Sequence, residues 1–174
     1  MRARHNVSRT MSLFAVAFVV ACRASTGGGA ADTRPLPDGA AVVLTRGACL
    51  GGCPVYAVTL FEDGRVTFDG RANVARPGRH EGRVATDSVQ ALVRTLRAHA
   101  DWTRDGAWVE GTDACGRYLP DGPRFTLVVA ADGPRRTLEY DAGCVNAPRT
   151  LSSLADAVDR AAAILPWISG PKEL

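Results

Sequence analysis

The chain has 174 residues, 46% of them apolar and 22% charged, with a formal net charge of +3, which suits one domain with a single core. Three of its 21 basic residues, Arg2, Arg4 and Arg9, fall in the first 21 positions, where no acid occurs, so the remainder sets 18 basic against 18 acidic side chains. A nucleic-acid-binding domain keeps a basic excess on its folded part, so this balance argues against nucleic acid as a partner.

In chain order, residues 1–12 are basic and acid-free, and residues 13–21 (LFAVAFVVA) form an apolar run. The run is too short to span a bilayer, which takes about 20 helical residues, but it suits the apolar part of an export signal. It ends in Val19-Val20-Ala21-Cys22, which resembles the bacterial lipobox. The resemblance implies cleavage of a signal peptide over 1–21 and acylation of Cys22. Several acyl chains would give stable anchoring, at about 0.8 kcal/mol per buried CH₂. Arg23 follows the cysteine. The Asp that retains many such lipoproteins in the inner membrane is absent, so an outer-membrane anchor facing the periplasm is implied. Residues 22–39 are small and Gly-rich, too poor in apolar groups to fold. They read as a tether with a reach of about 20–25 Å. A single domain is expected over 40–168, with a tail over 169–174.

Within the domain, residues 42–46 read as a short strand. Residues 55–62 alternate with period two, with Tyr56, Val58 and Leu60 on one face. Asp63-Gly64 is a hairpin signal. Residues 66–68 return, Asp69-Gly70 ends that strand, and 79–84 form a fourth. Thr86 or Asp87 caps a helix over about 88–100, with Asp87 and Gln90 at capping-box spacing. Val89, Leu92, Val93 and Leu96 make its apolar face. A long polar loop over 101–122 carries Trp102 and Trp108. Phe125, Leu127 and Val129 alternate along the next strand, Asp132-Gly133 turns it, and 137–140 return. Pro148 suits the first turn of a second helix. Its apolar face is Leu151, Leu154, Val158 and Leu165, and Pro166 stops it. Tyr56 and Phe125 each sit seven residues before an Asp-Gly turn, a weak internal echo. The expected fold class is α+β: antiparallel hairpins or a meander, with two helices packed on one face as a two-layer sandwich.

The most distinctive motif is Cys49-Leu50-Gly51-Gly52-Cys53-Pro54-Val55-Tyr56, followed by Asp63-Gly64 and Gly70. Here the chain resembles a family of exported bacterial domains of unknown function with the pattern C-x-G-x-C-P-x-Y, then a strand, a D-G turn and a second strand ending in Gly. The resemblance covers about residues 41–165. It implies a shared fold and a shared role for the cysteine loop, without an activity or substrate. Pro54, Tyr56, Asp63 and Gly64, together with Trp102 and Trp108, are the candidate functional loop residues.

If Cys22 is acylated, Cys49, Cys53, Cys115 and Cys144 remain, an even number in an exported chain, which favours disulfides. Cys49 with Cys53 would close a tight ring that Gly51 and Gly52 permit. Cys115 with Cys144 would close a loop of about 30 residues. Sequence leaves three connectivities open. A redox-active Cys49/Cys53 pair needs a lowered thiol pKa, and a strand rather than a helix follows Pro54. C-x-x-x-C-P also resembles the motif of copper chaperones of the Sco type, which would imply Cu(I) at Cys49, Cys53 and a histidine such as His80. A zinc site of four cysteines is a further alternative.

Asp101, Asp105, Glu110 and Asp113 lack the spacing of a calcium loop. No G-x-S-x-G elbow, H-E-x-x-H motif or phosphate-cradling Gly loop occurs. Beyond His5 in the signal, the histidines are His80 and His99, the latter placed to meet a helix dipole. No cofactor or resident metal is expected. The expectation is an envelope lipoprotein held to the membrane by its N-terminal lipid. It would be a non-enzymatic binding module for an envelope protein, the alternative being a thiol-redox or copper protein that uses Cys49 and Cys53.

Overall fold

A computed structural model describes residues 35–99 and 106–170. The signal, Cys22, Asp101, Trp102, Asp105 and the last four residues lie outside them. Seven strands form one sheet: β1 (Ala40–Arg46), β2 (Val55–Phe61), β3 (Arg65–Ala72), β4 (Gly78–Arg83), β5 (Ala107–Trp108), β6 (Arg124–Val129) and β7 (Arg136–Asp141). Their order across the sheet is β4-β3-β2-β1-β6-β7-β5. Neighbours are antiparallel, except that β5 runs parallel to β7. The described residues also form three helices: α1 (Thr86–Ala98), α2 (Thr150–Ala161) and α3 (Leu165–Ser169).

Period-two alternation sorts the sheet into two faces. Leu44 lies opposite Val58 on one side and Leu127 on the other, and Val58 in turn lies opposite Phe68. All four are fully buried. The helices cover this face, α1 through Val89, Leu92, Val93 and Leu96 and α2 through Leu151, Leu154 and Val158. The other face presents Val43, Thr45, Ala57, Thr59 and Thr126, most of it half-exposed. Pro35, Leu36 and Pro37 lie against it, lining a hollow of about 260 Å³ with Val43, Thr45 and Ala57. Among the described residues, no helix is long and apolar enough to cross a membrane.

The fold is α+β, but among the described residues the sheet is one mixed array of seven strands rather than separate hairpins, and there are three helices rather than two. β1 is the reason: it bonds to β2 on one edge and to β6 on the other, joining the two halves. β3 continues through Gly70 to Ala72. Gly70 is required by packing, not by a turn. A Cβ there would sit 2.6 Å from the Arg76 carbonyl oxygen and 2.8 Å from the Phe68 ring. Residues 106–122 are not wholly loop, since Ala107 and Trp108 pair with Glu139 and Tyr140. The first helix begins at Thr86, with Ala85 as its N-cap and no side-chain capping bond. The second helix ends at Ala161, and Ala163 takes a positive φ of 55°. That residue rotates the chain, so Ile164 is buried while Leu165 is 48% exposed. Pro166 therefore opens α3 instead of stopping α2.

Candidate functional site

β1 and β2 are joined by residues 47–54, and Gly51 and Gly52 take φ of 103° and 83°, a region closed to most side chains. Their turn brings Cys49 and Cys53 into a disulfide, with Cα atoms 5.4 Å apart. Leu50 stands at the tip of this ring, 79% exposed. Its backbone N–H donates to the Asp121 carbonyl, 3.2 Å away, which ties the ring to the loop before β6. Asn73 donates to the Cys53 carbonyl from the other side.

Below the ring lies a charged network in the core. The Arg46 guanidinium donates to Asp159 Oδ2 through Nε (3.1 Å) and Nη2 (2.7 Å), and to Asp156 Oδ1 (2.6 Å). The Tyr56 hydroxyl donates to Asp159 Oδ1 at 2.6 Å. Burial pushes the Asp159 carboxyl up, with Arg46 and Tyr56 pulling it back. Desolvation and then the Asp159 charge raise the Tyr56 hydroxyl. Desolvation works against the Arg46 cation, but Asp159, Tyr56 and Asp156 outweigh it and hold it charged. The network binds β1 and β2 to α2 and fixes the base of the ring. Tyr56 thus acts in the core and not at a surface.

The second disulfide joins Cys115 to Cys144, with Cα atoms 4.5 Å apart, and both residues are buried. It holds residues 106–123 against the turn after β7. Tyr118 and Cys144 form an isolated antiparallel bridge. The Tyr118 hydroxyl donates to Asp141 Oδ2 at 3.1 Å, and the Gly143 N–H donates to Asp141 Oδ1 at 2.8 Å. Both disulfides therefore staple loops at the same end of the sheet. Between the loops is an open cleft of about 650 Å³, lined by Cys49, Leu50, Glu110, Tyr118, Asp121 and Arg124, among others. Leu119 and Val145, 52% and 51% exposed, flank the same loops. Arg124 lays its stem over Gly47, and its Nε donates to the Ala48 carbonyl. Desolvation first, then Asp141 and Glu110, raise the Tyr118 hydroxyl, with Arg124 opposing.

Pro54 sits half-buried beside the ring. Asp63 and Gly64 form the β2–β3 turn at the opposite end of β2, where Asp63 Oδ1 accepts the Arg65 N–H. Trp108 packs half-buried against the core on β5. His80 lies on edge strand β4, two strands from β2, with its ring near Phe68 and Trp167 and Nε2 3.0 Å from the Pro77 carbonyl. Among the described residues, no group of three or more His, Cys, Asp or Glu side chains is placed to hold a metal ion. His99 is the C-cap of α1.

In the sequence Arg46 stands only as a cation near the cysteine pair, and neither its pairing with Asp159 nor most of the cleft is visible there. One signal was available for Asp159: an acid next to Val158 and four residues after Ala155, on the buried stripe of α2. Leu50, Asp121 and Arg124 carried no such signal, because the cleft is assembled from segments about 60–90 positions apart.

No curated protein matches the chain. A family described as a domain of unknown function (DUF6438) matches residues 40–162. The match takes in both disulfides, all seven strands, α1 and α2, and stops before α3.

Proposed function

The chain belongs to the DUF6438 family, a domain of unknown function, and from that premise we propose that it is a lipid-anchored envelope protein whose domain is a binding module. Cys22 carries the lipid after removal of residues 1–21, and residues 22–39 tether the domain on the periplasmic side of the outer membrane. The domain docks an envelope protein with the disulfide-stapled end of its sheet.

One observation carries this reading: two disulfides fix two loops around one open cleft, with Leu50 held out at the tip. An exposed large apolar side chain on a rigid loop costs little ordering entropy on binding, which favours use as an anchor. Among the described residues, Pro35–Pro37 lie on the open sheet face and do not line the cleft.

A second reading rests on Cys49 and Cys53, which are half-exposed while Cys115 and Cys144 are buried. An accessible disulfide can exchange with a thiol. Against it, the pair sits between two strands, without the helix N-terminus that lowers a thiol pKa.

The test is the size of the complex after gentle detergent extraction from the producing bacterium. The wild-type chain is expected to migrate well above its own mass, and Leu50→Asp with Leu119→Asp at its own mass. Identical migration of the two would contradict the docking reading. Alkylation of intact cells separates the second reading, which requires a reduced fraction of Cys49 and Cys53.

A further inference from the structure

We infer that the cleft takes a segment of a partner protein carrying a lysine or arginine beside a large apolar side chain. This rests on the docking reading above and names the partner's chemistry.

The cleft is open along its length, as suits a segment of another macromolecule rather than an enclosed metabolite. Its apolar surface comes from Leu50, Pro120 and the Tyr118 ring. Its charge is uneven: Glu110, Asp121 and Asp141 face a single cation, Arg124. Asp141 is 5% exposed, and its two oxygens already accept bonds from Tyr118 and Gly143. It therefore contributes field rather than contact. Glu110 and Asp121 are exposed on the rim, where a carboxylate can accept a charge-assisted hydrogen bond from an arriving guanidinium or ammonium. Arg124 is exposed, with its Nε held by the Ala48 carbonyl, so the two rim carboxylates outnumber it. Anionic lipid headgroups, nucleic acid and acidic peptides would all meet like charge here. A cationic side chain on the rim with an apolar neighbour against Leu50 satisfies both features of the cleft.

The experiment pans the full lipidated chain, held in neutral detergent, against a display library of random twelve-residue peptides. Enriched peptides are expected to pair Lys or Arg with an adjacent large apolar residue. The best of them should bind about tenfold more weakly to Glu110→Gln with Asp121→Asn, and more weakly at high salt. Both changes are on exposed side chains, and circular dichroism checks that the fold is kept. Acidic peptides that require Leu50 would overturn the inference and leave the docking reading standing. Peptides indifferent to Leu50, Glu110 and Asp121 would overturn both. Absence of any enriched peptide overturns the inference.

Discussion

Asp159 holds together the most consequential group of side chains in the core. It is buried, yet it accepts three hydrogen bonds from two residues over 100 positions away. Removing one member of a fully buried ion pair costs about 3–5 kcal/mol, and about 2–3 kcal/mol is expected here because Arg46 is part-exposed and keeps Asp156. Asp159→Asn should lose stability on that scale in urea unfolding, and a loss below about 1 kcal/mol would contradict the account. Tyr56 gives a pH signature. Its hydroxyl is raised in the folded state from an ordinary value of 10.0. The stability it contributes is therefore fully present below pH 10 and is lost as pH rises beyond it, at up to about 1.4 kcal/mol per pH unit. Tyr56→Phe should unfold with a shallower alkaline slope, and equal slopes would contradict. Tyr118 and Tyr140 are raised too and keep some slope in the variant. The sequence marks Asp159 only as an acid on the buried stripe of α2 and does not show its partners. Tyr56 stands out there as part of the cysteine motif and invites a surface role, because the Asp that buries it is on α2.

Elements with strong periodicity were readable, and those without it were not. β2, β6 and α1 announce themselves because each buries one stripe over six or more residues. β5 has two residues and no period to read. α3 depends on the positive φ at Ala163, which no local pattern encodes. It is nonetheless built in: the Ala75 and Arg76 N–H groups donate to the Ile168 and Trp167 carbonyls. Trp167 packs on Phe68 with ring centroids 5.6 Å apart and crowds Gly82. Trp167→Ala should cost about 2–3 kcal/mol, less than a fully buried Trp because this one is half-exposed. A neutral result would mean that the fold ends where the family match does. The pairing of the four cysteines, open in the sequence, follows from the topology: the strand ends place 49 by 53 and 115 by 144. In the chain-entropy model, the five-residue ring contributes about 2 kcal/mol and the 30-residue loop about 3.6 kcal/mol. Replacing Cys115 and Cys144 by Ser should therefore lower the urea midpoint more than the same change at Cys49 and Cys53. The reverse order would show the outer ring to be the main staple.

At the scale of the whole molecule, the fold separates three surfaces. Among the described residues, helices close one face of the sheet, Pro35–Pro37 lie on the other, and a cleft opens at the disulfide-stapled end. On the proposed acylation of Cys22, Cys22→Ala should abolish partition of the chain into a detergent phase. Wild-type partition retained by that variant would remove the lipid from the account. The cleft was only half legible. The cysteine motif pointed to one wall and the long loop with Glu110 to the other, while their meeting required the sheet order that sets β1 beside β6. The proposed function requires that this end meet a partner. The most direct measurement places a photoreactive amino acid at Leu50 or Leu119 in the full chain within the producing bacterium, with Thr67 on the open face and Arg94 on α1 as controls. Irradiation should give one discrete adduct with an envelope protein from positions 50 and 119 and none from 67 and 94. Adducts from the controls alone, or from none of the four, would contradict it.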